Sequence, residues 1–160
     1  MLLSIPVIAT LLSVAVANPT PQIPPLGENN KWFVTKWGAF CDPGGICRFG
    51  FDIRGDEKVG KINVPKFTAN CAATDVRIDG NKVACRITDP ASYPSGNVRE
   101  VFAGLISGDP AITEDVKLAI DYKFKEIGGL ESTWIISATD GVFFAGAQDF
   151  DIPTESFQKV

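Results

Sequence analysis

With 160 residues, no histidine and a formal net charge of −4, the chain is sized for one domain around one core and lacks the side chain on which most catalytic devices depend. The missing histidine removes Ser-His-Asp and Cys-His nucleophile activation and most catalytic zinc sites, leaving carboxylate chemistry, a Tyr or Lys acid or base, or no catalysis. An acidic balance without clustered cations argues against a nucleic-acid partner; the densest group, Lys117, Lys123 and Lys125, falls on the solvated face of an alternating segment.

Leu2 to Val16 is an almost unbroken apolar run that ends in Ala15-Val16-Ala17 and is followed by Asn18-Pro19. This is the pattern of a secretory signal peptide with an A-x-A cleavage site. It is shorter than the roughly 20 apolar residues of a bilayer span, although its lack of an n-region cation keeps a membrane anchor as the alternative. Residues 1–17 are therefore predicted to be removed and the mature protein to be secreted and extracellular. Residues 18–30, NPTPQIPPLGENN, hold four prolines and read as an extended leader. Residues 31–160 form one β-rich domain.

From Lys31 onward the dominant period is two. Trp32 to Phe40 is aromatic and β-branched, and Cys47, Phe49, Phe51 and Ile53 alternate with Arg48, Gly50 and Asp52. Val76 to Ile78 and Val83 to Ile87 flank Asp79-Gly80, the signal of a tight hairpin. Val98, Val101, Phe102, Leu105 and Ile106 recur at three and four, so this segment reads as strand or as one to two helical turns, with Gly104 against the helix. Val116, Leu118, Ile120, Tyr122 and Phe124 share one strand face. Gly128-Gly129 turns the chain into Ser132 to Ala138, Thr139-Asp140-Gly141 turns it into Val142 to Ala145, and a last strand holding Phe150 and Ile152 stops at Pro153. About eight short strands with antiparallel turns imply an all-β fold, an antiparallel barrel or sandwich.

Cys41, Cys47, Cys71 and Cys85 are an even number in an exported chain and read as two disulfides, of which three pairings are possible. Local pairing is favoured, Cys41 with Cys47 and Cys71 with Cys85, because each joins neighbouring segments of a meander. The second would close a loop of about 15 residues and stabilise by roughly 3 kcal/mol. No C-x-x-C spacing points to a metal.

Trp32-x-Val34, Phe40, Arg48-Phe49-Gly50-Phe51-Asp52-Ile53, Phe67, Cys71 and Cys85 together resemble the small secreted fungal proteins related to the major Alternaria allergen, over roughly residues 31 to 90. The resemblance implies an extracellular β-barrel of the effector or elicitor kind, and it brings no catalytic motif. The chain departs from that pattern in its local Cys41 and Cys47 pair and in having no cysteine after Cys85.

Candidate binding residues are Trp32 and Trp37, which are either core or surface anchors for a partner, and Tyr93 in the polar stretch 89–96. Asp149 and Asp151 share a strand face, the minimal geometry for a carboxylate pair. With Asp140 and Glu155 they are otherwise a solvated acidic surface, and they lack a calcium-loop pattern. No catalytic residue, metal or cofactor is assigned. The expected activity is binding of an extracellular or host protein; the alternatives are a barrel carrying a small apolar ligand and a histidine-free enzyme.

Overall fold

Strict alternation builds the most regular part of the molecule. Leu118, Ile120, Tyr122 and Phe124 are fully buried along one face of a strand, while Asp121, Lys123 and Lys125 turn outward. The computed structural model describes residues 30–60, 62–89, 99–109, 112–126, 132–142 and 147–160. Among them are nine strands: β1 (Lys31–Cys41), β2 (Ile46–Gly55), β3 (Phe67–Arg77), β4 (Lys82–Ala84), β5 (Arg86–Ile87), β6 (Arg99–Asp109), β7 (Ile112–Lys125), β8 (Thr133–Gly141) and β9 (Gln148–Lys159). All pair antiparallel in the order β4-β6-β7-β8-β9-β1-β2-β3-β5.

The two ends of that order nearly meet, because β4 and β5 are separated by Cys85 alone. Lys82–Ala84 pairs with β6, then Arg86 and Ile87 pair with β3, so one short segment steps from one sheet edge to the other. Cys85 N donates to Val101 O at 2.8 Å on one side of this seam, and Thr88 N donates to Thr68 O at 2.9 Å on the other. The sheet is thus a nearly closed barrel, which leaves little unpaired edge. At one end of the seam the Arg99 guanidinium donates to the carbonyls of Lys66 and Asp89, both at 3.2 Å, and pairs with the Asp89 carboxylate at 3.5 Å.

Closure needs curvature, and the described ladders supply it at bulges in β1, β3 and β9 and at a register shift between Ser107 and Asp109 where β6 meets β7. In β1 the register shifts between Thr35 and Gly38, with Lys36 in the left-handed region at φ 55°. In β3 Asp75 at φ 58° lies opposite Arg48, between the pairs Cys47↔Val76 and Phe49↔Ala73. In β9 Glu155 is the extra residue between the pairs Ser137↔Ser156 and Ala138↔Thr154. Each bulge reverses the in/out phase, so Trp32 and Trp37, an odd number of residues apart, both point inward, as do Ile152 and Phe157.

Several sequence expectations are corrected. The segment readable as a helix is strand β6: Val101, Ala103 and Leu105 face the core while Phe102 and Ile106 half-cover the outside, and apolar residues on both faces imitate helical spacing. Gly104 is there because a Cβ would come within 2.3 Å of the Asn81 carbonyl oxygen. Asp79-Gly80 does turn, with Gly80 at φ 83°, but the strand that leaves it joins β6 rather than folding back on Val76 to Ile78. Thr139, Asp140 and Gly141 continue β8 opposite Ala119, Leu118 and Lys117 instead of turning. Pro153 does not stop β9, because it sits beside the bulge where the ladder is already interrupted. Gly128-Gly129 and Phe143-Ala145 lie outside the described residues.

The interior is filled with rings. Trp32 meets Phe67 at 5.4 Å between centroids, Phe67 stacks on Tyr122 at 4.1 Å, and Tyr122 stacks on Phe124 at 5.2 Å. Phe124 then reaches Phe157 at 6.2 Å. A second cluster gathers Phe49, Phe51 and Phe150 around Trp37. The Tyr122 phenol in this core is satisfied, its Oη donating to Pro65 O at 3.2 Å.

Candidate functional site

The outward face of β1, β2 and β3 carries the most distinctive surface among the described residues. Gly38, Gly50 and Ala72 stand in one cross-strand row, Gly38 opposite Gly50 and Gly50 opposite Ala72. Glycine inside a strand weakens the sheet and often marks a place where another backbone or a ligand approaches closely. A Cβ at Gly38 would meet nothing within 4 Å, and one at Gly50 only the Cys71 carbonyl at 3.9 Å. The space is therefore open and the glycines are not demanded by internal packing. They floor a solvent-open saddle whose two sides hold about 500 Å³ and 370 Å³.

One wall is Phe40, Arg48 and Thr74. Phe40 is 56% exposed, unusual for a large ring, and the Arg48 guanidinium lies 5.2 Å from its centroid. The opposite wall is Lys36, Asp52 and Asn70: Asp52 receives the Lys36 ammonium at 2.8 Å and the Asn70 amide at 2.8 Å. Both contacts favour the ionised carboxylate, so the Asp52 pKa is held below its ordinary value by the Lys36 hydrogen bond first and the Asn70 bond second. The same hydrogen bond and charge raise Lys36. The β1 bulge presents this lysine, and Asp149 on β9 fixes the bulge by accepting the Lys36 backbone N–H at 2.8 Å. Beyond that wall the motif repeats, with Arg54 opposite Phe33 and its guanidinium 4.7 Å from the ring.

This arrangement offers planar donors, an aromatic face and a close-approach floor. Its carboxylate, Asp52, is shifted downward, the opposite direction from the raised pKa of a glycosidase's acid.

The sequence-predicted residues are distributed differently. Trp32 and Trp37 are 5% and 0% exposed and belong to the ring clusters, so the surface-anchor role proposed for them has no surface to act from. Tyr93 lies outside the described residues. Asp149 and Asp151 do share the outer face, but each serves β1, Asp149 at the bulge and Asp151 in an ion pair with Lys31. Asp140 accepts the Gly141 N–H, and Glu155 is exposed at its bulge. Both disulfides form as the local pairing requires: Cys41 and Cys47 are directly opposed across β1 and β2, and Cys71 of β3 holds Cys85 at the seam. They fit an extracellular or otherwise oxidising environment. No helix of the described residues is long and apolar enough to cross a membrane.

Gly38, Gly50, Phe40, Arg48 and Asp52 were not singled out as a site by sequence reasoning. Glycines on the polar face of two adjacent strands were the signal for it; only the register reveals that they are neighbours. The chain matches no protein-family model, no curated protein and no solved structure.

Proposed function

We propose that the chain is exported by residues 1–17 and acts outside the cell as a disulfide-stabilised, non-catalytic binding protein. Its partner is an extracellular or host protein, as for the effector-like fungal proteins that residues 31–90 resemble. The observation that carries this reading is the glycine-floored saddle between Phe40/Arg48 and Lys36/Asp52 on the outside of a barrel whose interior is packed with rings. Exposed aromatic and arginine side chains are the types enriched at interface hot spots. Internal carriage of an apolar ligand is disfavoured by the stacked core.

The test fills the saddle. Gly50→Trp projects a ring into open space, so the variant is expected to keep the parent melting temperature and lose retention of extracellular proteins on the immobilised mature chain. Screens against polysaccharides and esters accompany it, with Asp149→Asn and Asp151→Asn as controls. Reproducible turnover that either control abolishes would overturn the proposal.

A further inference from the structure

On the same face, charge discriminates between kinds of partner. β1 and β2 turn four cations outward, Lys31, Lys36, Arg48 and Arg54. The two lysines are compensated, by Asp151 and Asp52 respectively. The two arginines contact rings and, among the described residues, form no ion pair. A guanidinium over an aromatic ring is held in place while its N–H donors stay available, and those donors match a carboxylate bidentately. Arg48 and Arg54 are six residues apart on one strand, about 20 Å at the usual rise, with Gly50 and the Lys36-paired Asp52 between them.

We infer that the segment recognised here is an extended acidic stretch of a partner protein, its backbone crossing the saddle and two carboxylates about six residues apart engaging Arg48 and Arg54 together. The inference rests on the binding reading above and adds the chemistry of the partner. A protein of net charge −4 offers acidic chains no general attraction, so such an encounter depends on local cations such as these. An extended segment spans the two arginines in about six residues, matching the strand it runs along, where a helix rising about 1.5 Å per residue would need over a dozen.

The experiment titrates the mature chain with four probes at low and physiological salt. These are a synthetic peptide of about twelve residues with glutamates six apart in a Ser/Gly background, its Gln counterpart, a version with adjacent glutamates, and an oligouronate. The spaced Glu peptide is expected to bind at least about tenfold more tightly than the Gln and adjacent-Glu peptides, and to weaken as salt rises. The double variant R48Q/R54Q should lose at least about tenfold, and R48K/R54K should fall between because the charge stays while the fork is lost. Both side chains are exposed, so the melting temperature should not move. Equal binding of Glu and Gln peptides, no effect of R48Q/R54Q, or tight binding of the oligouronate with none of the peptide would each overturn the inference. Retention of extracellular protein that is lost in Gly50→Trp but intact in R48Q/R54Q would overturn the acidic partner alone; retention unchanged in both variants would overturn the binding reading as well.

Discussion

The barrel's two halves hold together by different means. In β6, β7 and β8 the register between β7 and β8 runs unbroken from Lys117↔Gly141 to Lys125↔Thr133, that between β6 and β7 shifts only at its Ser107/Asp109 end, and Leu118, Ile120, Tyr122 and Phe124 are fully buried. In β1, β2 and β3 two bulges interrupt the ladder, two non-glycine residues sit at positive φ, a row of small residues thins the outer face, and both disulfides are anchored, one within these strands and one from β3 to Cys85 at the seam. One half is held by packing; the other gives up regularity to shape a surface and is cross-linked. The cross-links stabilise the half whose ladder is most interrupted.

The largest effect should come from the packed half. Phe124→Ala is expected to destabilise by about 3–5 kcal/mol, measured by denaturant unfolding, because the ring stacks on Tyr122 and cannot be replaced by collapse. Next, C71S/C85S should cost about 3 kcal/mol and C41S/C47S about 2, in order of loop length. Hydrogen exchange of the reduced protein should show β1–β3 amides opening before those of β6–β8; simultaneous opening would break the comparison. Gly104→Ala should cost about 1–3 kcal/mol, since the Asn81 backbone must move.

The smallest effect is electrostatic. Asp52 is lowered, so its contribution is present above its ordinary value of 3.8 and is lost as pH falls through its depressed folded value. Lys36 is raised, so its share persists below its ordinary 10.5 and fades as pH climbs through the raised value. The melting-temperature difference between the parent and Asp52→Asn should accordingly be flat from pH 5 to 9 and shrink toward both extremes. A difference that grows on acidification would reverse the assignment.

How far the sequence could be read follows the same division. The face of β7 was evident from period two alone, and the local disulfides followed from a meander. Much of what escaped depends on a bulge or on which strand pairs with which. A single extra residue at Lys36 breaks the alternation and brings Trp37, readable as core or as surface anchor, onto the same inward face as Trp32, and no propensity marks a lysine for the left-handed region. Likewise the saddle exists only through the alignment of Gly38 with Gly50 and Ala72, a relation between strands that a linear pattern does not contain.

The split between β4 and β5 also bears on how the barrel is completed. Residues 82–88 hydrogen-bond to both sheet edges, so this segment must wait for β3, formed before it in the chain, and for β6, formed after it. β1, in turn, pairs with β9 from the far end of the described chain. Five of the eight strand pairings among the described residues join consecutive strands, and closure rests on the three that do not, the kind of non-local pairing that folds in milliseconds to seconds rather than microseconds. Cys85 lies at the switch between edges, so its oxidation onto Cys71 fixes the closing segment to β3 and leaves only the β6 side to find. A chain oxidised at that position before β6 docks would start its final step with one side of the seam already in register.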